Sequence, residues 1–172
     1  RRTEVWTSTL QMIKDAPLIG RGFGTYFLYY PEYRLPTEKD GVYYAHNDPL
    51  QFWVELGILG PVLFYAFAVA AAVRTFRSLK NLAPNNPDRL AIVSLFAALA
   101  AMVAHAHISF SHYNISILMV VGLMLAIWFV LTGKALAEEQ KIVGLPESMP
   151  RNMNKALLAL PFLMTGWLYV SI

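Results

Sequence analysis

The amino-acid sequence predicts an all-α, polytopic membrane protein with about four transmembrane helices, preceded by an extramembrane segment that carries short amphipathic helices. Of its 172 residues 56% are hydrophobic and only 15% are charged, whereas a soluble domain has about 25% charged residues. The charges also leave long uncharged runs. This composition excludes intrinsic disorder, and the small excess of 14 Lys and Arg over 11 Asp and Glu argues against a nucleic-acid partner.

Uncharged runs define the predicted spans. The first run, Leu56 to Val73, has 18 residues, and the second, Leu90 to Gly133, has 44. A single helix of the second length would reach about 66 Å across a hydrocarbon core of about 30 Å, so the chain must turn back. The most polar stretch of that run is 108–114. The predicted spans are therefore 56–73, 90–108, 114–132 and 156–172.

The Lys and Arg residues of the short loops predict the orientation. Loops 74–89 and 133–155 carry four each, and the 108–114 turn carries none. By the positive-inside rule both basic loops are cytoplasmic, and the 108–114 turn faces the other side of the membrane. Segment 1–55 then faces that side too, which in a bacterium is the periplasm. We expect a multi-pass protein of the bacterial inner membrane, with a periplasmic segment 1–55 and a transmembrane bundle 56–172 that contacts membrane lipid.

Two short helices are predicted within segment 1–55. In Thr3–Asp15 the side chains of Trp6, Leu10 and Ile13 follow the i, i+4, i+7 spacing of an amphipathic helix, which Pro17 ends. The second helix begins with Asp48 as the predicted N-cap and Pro49 as its first residue, and it stops at Gly57.

The stretch between these helices is predicted as loop with at most one short helix. Its glycine run, Gly20 to Gly24, lacks the flanking elements of a nucleotide-binding loop and predicts a tight turn that lets the backbone approach another segment or lipid phosphates. Many aromatic residues surround the run, and we interpret them as an interfacial aromatic belt: Tyr26, Phe27, Tyr29, Tyr30, Tyr33, Tyr43 and Tyr44. The alternative is that one or two of them stack on a sugar.

His46 is the main candidate for chemistry, because it lies next to a predicted helix N-terminus. The partial positive charge there favours a neutral imidazole that can act as a base, although the carboxylate of Asp48 opposes this effect. The alternative is a histidine that only packs at a loop–helix junction.

Three further histidines, His105, His107 and His112, lie near the 108–114 turn. A metal or haem site there is disfavoured, because helix positions two apart point about 200° apart and no acidic residue lies between Asp88 and Glu138. These histidines either pack or line a cavity on the same side as His46.

Three motifs in segment 1–60 resemble those of the bacterial O-antigen ligase/polymerase family. His46-Asn47, followed after nine residues by Gly57 and then by Gly60, is similar to its His-[Asn/Ser/Gln]-x9-Gly-x-x-Gly signature. The run from Pro17 to Gly24 resembles its Pro-x-x-Gly-x-Gly-x-Gly stretch. Arg2 and Trp6 resemble its Arg-x-x-x-Trp element. The resemblance identifies the chain as the C-terminal part of a family member.

The resemblance implies a metal-independent glycosyltransferase without a cofactor, whose active site faces the periplasm. Such enzymes transfer a glycan from undecaprenyl diphosphate to an acceptor hydroxyl in the assembly of lipopolysaccharide or other surface polysaccharide. By motif match His46 is the general base and Arg2 binds the diphosphate. Arg21 and Arg34 are further candidate diphosphate ligands, each with the alternative of a solvated arginine.

The sequence leaves the acceptor open. A ligase uses lipid A–core, a polymerase uses another glycan repeat, and an oligosaccharyltransferase of the same family uses a protein hydroxyl. An alternative from another class is a transporter or haem-carrying membrane protein. Intramembrane charge pairs would favour a transporter, and the uncharged runs contain none.

Overall fold

The computed structural model describes residues 2–38 and 42–143, without the side chains of 138–143. The described chain is helical and has no strand, which confirms the predicted fold class. The elements are α1 Arg2–Asp15, α2 Tyr26–Tyr33, α3 Asp48–Leu56, α4 Leu59–Asn81, α5 Pro87–His105, a 3-10 turn Ser111–Tyr113, and α6 Ile115–Val143.

Three described helices are long and apolar enough to cross a membrane: Leu59–Asn81, Pro87–His105 and Ile115–Ala137. They correspond to the first three predicted spans, and the fourth, 156–172, lies outside the described residues. The helices α4 and α6 run well beyond the predicted ends, so that 133–143 is helix and not linker. The length of an uncharged run reflects only the part of the helix that lies in hydrocarbon. The helix itself continues into the polar region until a helix-breaking residue ends it.

The contacts divide the chain into two compact units. The first comprises the residues up to Ala71 together with Ala100–Asn114, and the second comprises Ala72–Leu99 and the described residues from Ile115 onward. In the second unit Arg74 of α4 donates from Nε to Oγ1 of Thr132 at 2.7 Å, and its guanidinium lies 4.1 Å from the ring centre of Phe129. This arginine therefore ties α4 to α6.

The first unit is built on α1, whose buried face differs from the predicted stripe. Ile13 is buried as expected, but Leu10 is 48% exposed, and the buried face includes Ser8, Thr9 and Met12. The two hydroxyls can be buried because each has a partner: Ser8 donates to Glu38, and Thr9 shares a 2.8 Å bond with the Tyr26 hydroxyl. Hydrophobic periodicity alone does not reveal polar side chains that are buried in the core with hydrogen-bond partners.

Two tyrosines of α2 form the centre of this unit, which corrects the interpretation of all the tyrosines as an interfacial belt. Tyr26 and Tyr30 are each 1% exposed, and their rings stack at 5.4 Å between centroids. Burial raises the pKa of both phenols, so they are neutral hydrogen-bonding groups. Helix α2 agrees with the prediction of at most one short helix between α1 and α3.

Candidate active site

His46 lies two residues before α3, next to its N-cap, and adopts a left-handed backbone conformation. The N-cap of α3 is Asn47, whose side chain accepts from the Leu50 amide at 3.1 Å, and not Asp48 as predicted. His46 has a φ of +52°, a left-handed value that only a few per cent of non-glycine residues adopt, among which histidine, asparagine and aspartate are enriched. A non-glycine residue held in this region often marks a functional position.

The backbone before His46 is fixed from two directions. The Ala45 amide donates to Gln51 Oε1 at 3.0 Å, and the Ala45 carbonyl accepts from the indole nitrogen of Trp6 at 3.0 Å. Ala45 itself is fully buried. The tryptophan of the Arg-x-x-x-Trp element therefore attaches α1 to the residue next to His46, and this contact places the exposed Arg2, one turn before Trp6, near the histidine.

The electrostatics of His46 favour a neutral base. Partial burial lowers the pKa of its imidazole, and the positive charge of Arg2 lowers it further. The ring packs edge-on against Phe110 at 4.9 Å between centroids, and within the described residues neither ring nitrogen of His46 has a hydrogen-bond partner. A neutral imidazole with free nitrogens can accept a proton from a bound hydroxyl.

The turn that carries Phe110 is attached to the start of α3 by four hydrogen bonds. The Asp48 amide donates to the Ala106 carbonyl at 2.8 Å, and Asn47 Nδ2 donates to the His107 carbonyl at 2.9 Å. Asp48, which is fully buried, accepts at Oδ2 from Nδ1 of His112 at 2.7 Å and from the His112 amide at 3.2 Å. Asn47 of the motif and its neighbour Asp48 thus hold the turn against His46.

The other two histidines of this region differ in their surroundings: one is hydrogen-bonded and the other is exposed. Nε2 of His107 pairs with the Tyr65 hydroxyl at 2.8 Å and its Nδ1 with the Val103 carbonyl at 2.9 Å. His105 ends α5 and is exposed. Among the described residues no group of three or more His, Cys, Asp or Glu side chains is placed to hold a metal ion.

The two glycine motifs pack against each other. Gly57 and Gly20 have φ values of +67° and +76°, and a Cβ atom on Gly57 would overlap the Leu18 carbonyl oxygen, while one on Gly20 would lie 2.6 Å from the Glu55 oxygen. The predicted close approach of the Gly20–Gly24 run is therefore to α3. Gly60 also needs to be small, because its Cβ atom would lie 2.6 Å from the Phe52 carbonyl carbon.

A buried carboxylate that the sequence analysis missed holds this packing together. Glu55, 1% exposed, accepts from the Gly24 amide at 2.8 Å, from the Tyr26 amide at 3.3 Å and from the Tyr113 hydroxyl at 2.6 Å. It thereby caps α2 from outside that helix. Burial raises the pKa of the Glu55 carboxyl, although these donors oppose the effect. The i, i+4 pair of Gln51 and Glu55 was the available signal.

The two further candidate arginines have partners within the chain. Arg21 donates to the Tyr33 hydroxyl, lies 3.6 Å from the Asp15 carboxylate, and faces the Tyr29 ring at 4.8 Å. Arg34 donates to the Glu38 carbonyl. These contacts give Arg21 and Arg34 a role in the packing of segment 1–55. Arg2, by contrast, acts on His46 through its charge.

Comparison with known proteins agrees with the motif analysis. The O-antigen ligase family model matches residues 1–65, a range that contains all three motifs. The resemblance to an O-antigen ligase-related family is thereby confirmed for this part of the chain. Neither the curated proteins nor the solved structures give a significant match.

Proposed function

We propose that the chain is part of a glycosyltransferase that moves a glycan from undecaprenyl diphosphate to an acceptor hydroxyl in the periplasm, without a metal ion. The observation that carries the proposal is the bond from Trp6 to Ala45, which links the helix of Arg2 to the residue before His46 within the segment that matches the O-antigen ligase family. The charge of Arg2 contributes to the lowered pKa of His46. A multi-pass helical membrane protein suits a lipid-linked donor, because the carrier lipid stays in the bilayer while its head group reacts beside it.

His46 supplies the general base of this reaction. It removes the proton of the acceptor hydroxyl as the oxygen attacks the anomeric carbon, and the bond between that carbon and the diphosphate breaks. The depressed pKa of His46 keeps its imidazole neutral at physiological pH and ready to accept the proton. The left-handed backbone of His46 and the two hydrogen bonds of Ala45 fix the backbone position from which the imidazole ring extends.

Arg2 supplies the cation for the leaving group. The departing undecaprenyl diphosphate gains negative charge, and a guanidinium stabilises it through two parallel hydrogen bonds. Arg2 is exposed at the N-terminal end of α1 and acts electrostatically on His46. One site thus holds the base for the acceptor and the cation for the donor.

Transfer to each class of acceptor tests the function. Purified full-length protein is incubated with an undecaprenyl diphosphate-linked repeat and, in turn, with lipid A–core, a second lipid-linked repeat, and a protein with exposed hydroxyl side chains. Product with the first acceptor indicates a ligase, with the second a polymerase, and with the third an oligosaccharyltransferase. The proposal would be contradicted if folded protein only hydrolysed the donor or transferred the glycan to none of the three acceptors.

The periplasmic position of the site is tested by labelling in intact cells. The 172 residues contain no cysteine, so single cysteines report cleanly within this part of the protein. Ile108 is 49% exposed in the turn beside His46, whereas Ser111 is buried and would not react. An impermeant thiol reagent should label Ile108→Cys and spare Asn85→Cys in the basic loop; the reverse pattern would place the site in the cytoplasm.

A further inference from the structure

Leu18 and Ile19 form the tip of the loop between α1 and α2, and their side chains are 71% and 87% exposed. We propose that this tip is a membrane anchor, with both side chains inserted among the acyl chains of the bilayer leaflet next to segment 1–55. The proposal concerns the lipid surface alone and stands independently of the transfer reaction.

The loop is held at the level where the first membrane helix begins. The carbonyl carbon of Ile19 lies 2.7 Å from the position of a Cβ atom on Gly57, two residues before α4 starts at Leu59. The indole nitrogen of Trp53 donates to the Pro17 carbonyl at 3.0 Å. The Arg21 amide donates to the Val54 carbonyl at 2.8 Å. These contacts fix the depth of the tip relative to the end of α4.

The end of α4 itself presents an apolar surface. Leu59, Val62 and Leu63, all within its first turns, are 60%, 50% and 62% exposed. In a membrane-spanning helix such side chains face hydrocarbon, since exposure of aliphatic side chains to lipid is favourable there. Because Leu18 and Ile19 lie at the same end, the apolar surface of the span continues onto the loop.

The loop carries no charge, and two of its backbone positions leave no free amide donor. No charged residue occurs between Asp15 and Arg21. Unpaired backbone groups are costly in hydrocarbon, and here the Gly20 amide is bonded to the Ala16 carbonyl at 3.2 Å and Pro17 has no N–H. The nearest cation, Arg21, is paired with Asp15 at 3.6 Å. A shallow apolar tip of this kind suits the boundary of head groups and acyl chains.

Spin labelling tests the anchor. Full-length protein carrying Ile19→Cys, labelled with a nitroxide, is reconstituted in vesicles of phosphatidylethanolamine and phosphatidylglycerol, and its collision rates with oxygen and with a water-soluble nickel chelate are compared. Thr37→Cys, exposed after α2, is the matched control. We expect oxygen collisions to exceed nickel collisions at position 19 and the opposite ratio at position 37, because oxygen concentrates in lipid.

Two other outcomes would overturn the proposal. A nickel-dominated ratio at position 19 means that the tip lies in water. An immobilised nitroxide that neither reagent reaches means that protein covers the tip. A nitroxide on Leu18→Cys, measured in the same way, controls for a local effect of the label at position 19. Both side chains are so exposed that the substitutions should not disturb folding.

Discussion

The indole nitrogen of Trp6 donates to the carbonyl oxygen of Ala45 across 39 residues of sequence, at 3.0 Å. This bond connects the Arg-x-x-x-Trp element to the residue that precedes His46. In the proposed reaction the first element carries the cation and the second the base, and the tryptophan links the two.

Replacing Trp6 with Phe should lower turnover without unfolding the protein. The variant leaves the carbonyl of the buried Ala45 unpaired, at a cost of about 1–3 kcal/mol, and loosens α1 next to His46. Trp53→Phe is the control, since it removes an indole–carbonyl bond of the same length, to Pro17, although this bond is more exposed. Thermal unfolding in detergent should detect a loss for both, and a transfer assay a marked loss for Trp6→Phe alone. Equal activity of the two variants would contradict the positioning role.

His46→Asn should reduce the rate of transfer by about 10²–10⁴-fold, the usual contribution of a general base. Asparagine is preferable to alanine here, because it tolerates the φ of +52° that position 46 adopts. Donor binding, measured separately, should persist. A folded His46→Asn protein with a rate within a few-fold of wild type would remove the base assignment.

The pH profile should depend on the charge of residue 2. The proposed mechanism needs neutral His46, so activity should be lost as pH falls through the pKa of that group, which burial and Arg2 hold below its usual 6.5. Arg2→Gln removes one of these two causes, and the acid limb of kcat/KM should move to higher pH. Arg2→Lys keeps the charge and should leave the limb in place, although both variants lose the guanidinium fork and some activity. If the acid limb of kcat/KM lies at the same pH in all three proteins, the charge of residue 2 does not affect the pKa of His46.

His112→Ala should destabilise the first unit, whereas His105→Ala should not. Removing His112 deprives the buried Asp48 carboxylate of its side-chain partner, at a cost of about 2–3 kcal/mol. His105 is exposed, and surface changes of this kind stay within about 0.5 kcal/mol. Chemical unfolding in detergent compares the two, and similar midpoints would show that the Asp48–His112 contact adds nothing.

Three glycine substitutions should rank by the space around them. Gly57→Ala meets the Leu18 carbonyl and should prevent normal folding. Gly24→Ala, at a φ of +73° but in open space, should cost about 1–2 kcal/mol of backbone strain. Gly122→Ala, in α6 with no neighbour within 4 Å, should be neutral or slightly stabilising. Expression level and melting temperature give the ranking, and a well-folded Gly57→Ala protein would contradict the close packing.

Some features of the site could be predicted from the sequence because they depend on local order. Pro49 and Gly57 bound α3 through their own backbone preferences, and Pro17 follows α1 for the same reason. The N-cap was misplaced by one residue, since Asn47 and Asp48 are both good caps and only the backbone shows which side chain bonds to the Leu50 amide.

By itself, the sequence determined the helical membrane class, the first three spans and the motifs that match the family, because hydrophobic run length and motif spacing are properties of the chain's order. Only the tertiary structure decided which polar side chains are buried and paired. The contacts of Asp48 with His112, of Glu55 with Gly24, and of Trp6 with Ala45 each join residues at least 31 positions apart. Their partners come together only when α1, the Gly20–Gly24 run, α3 and the 106–114 turn pack, so no local pattern encodes them.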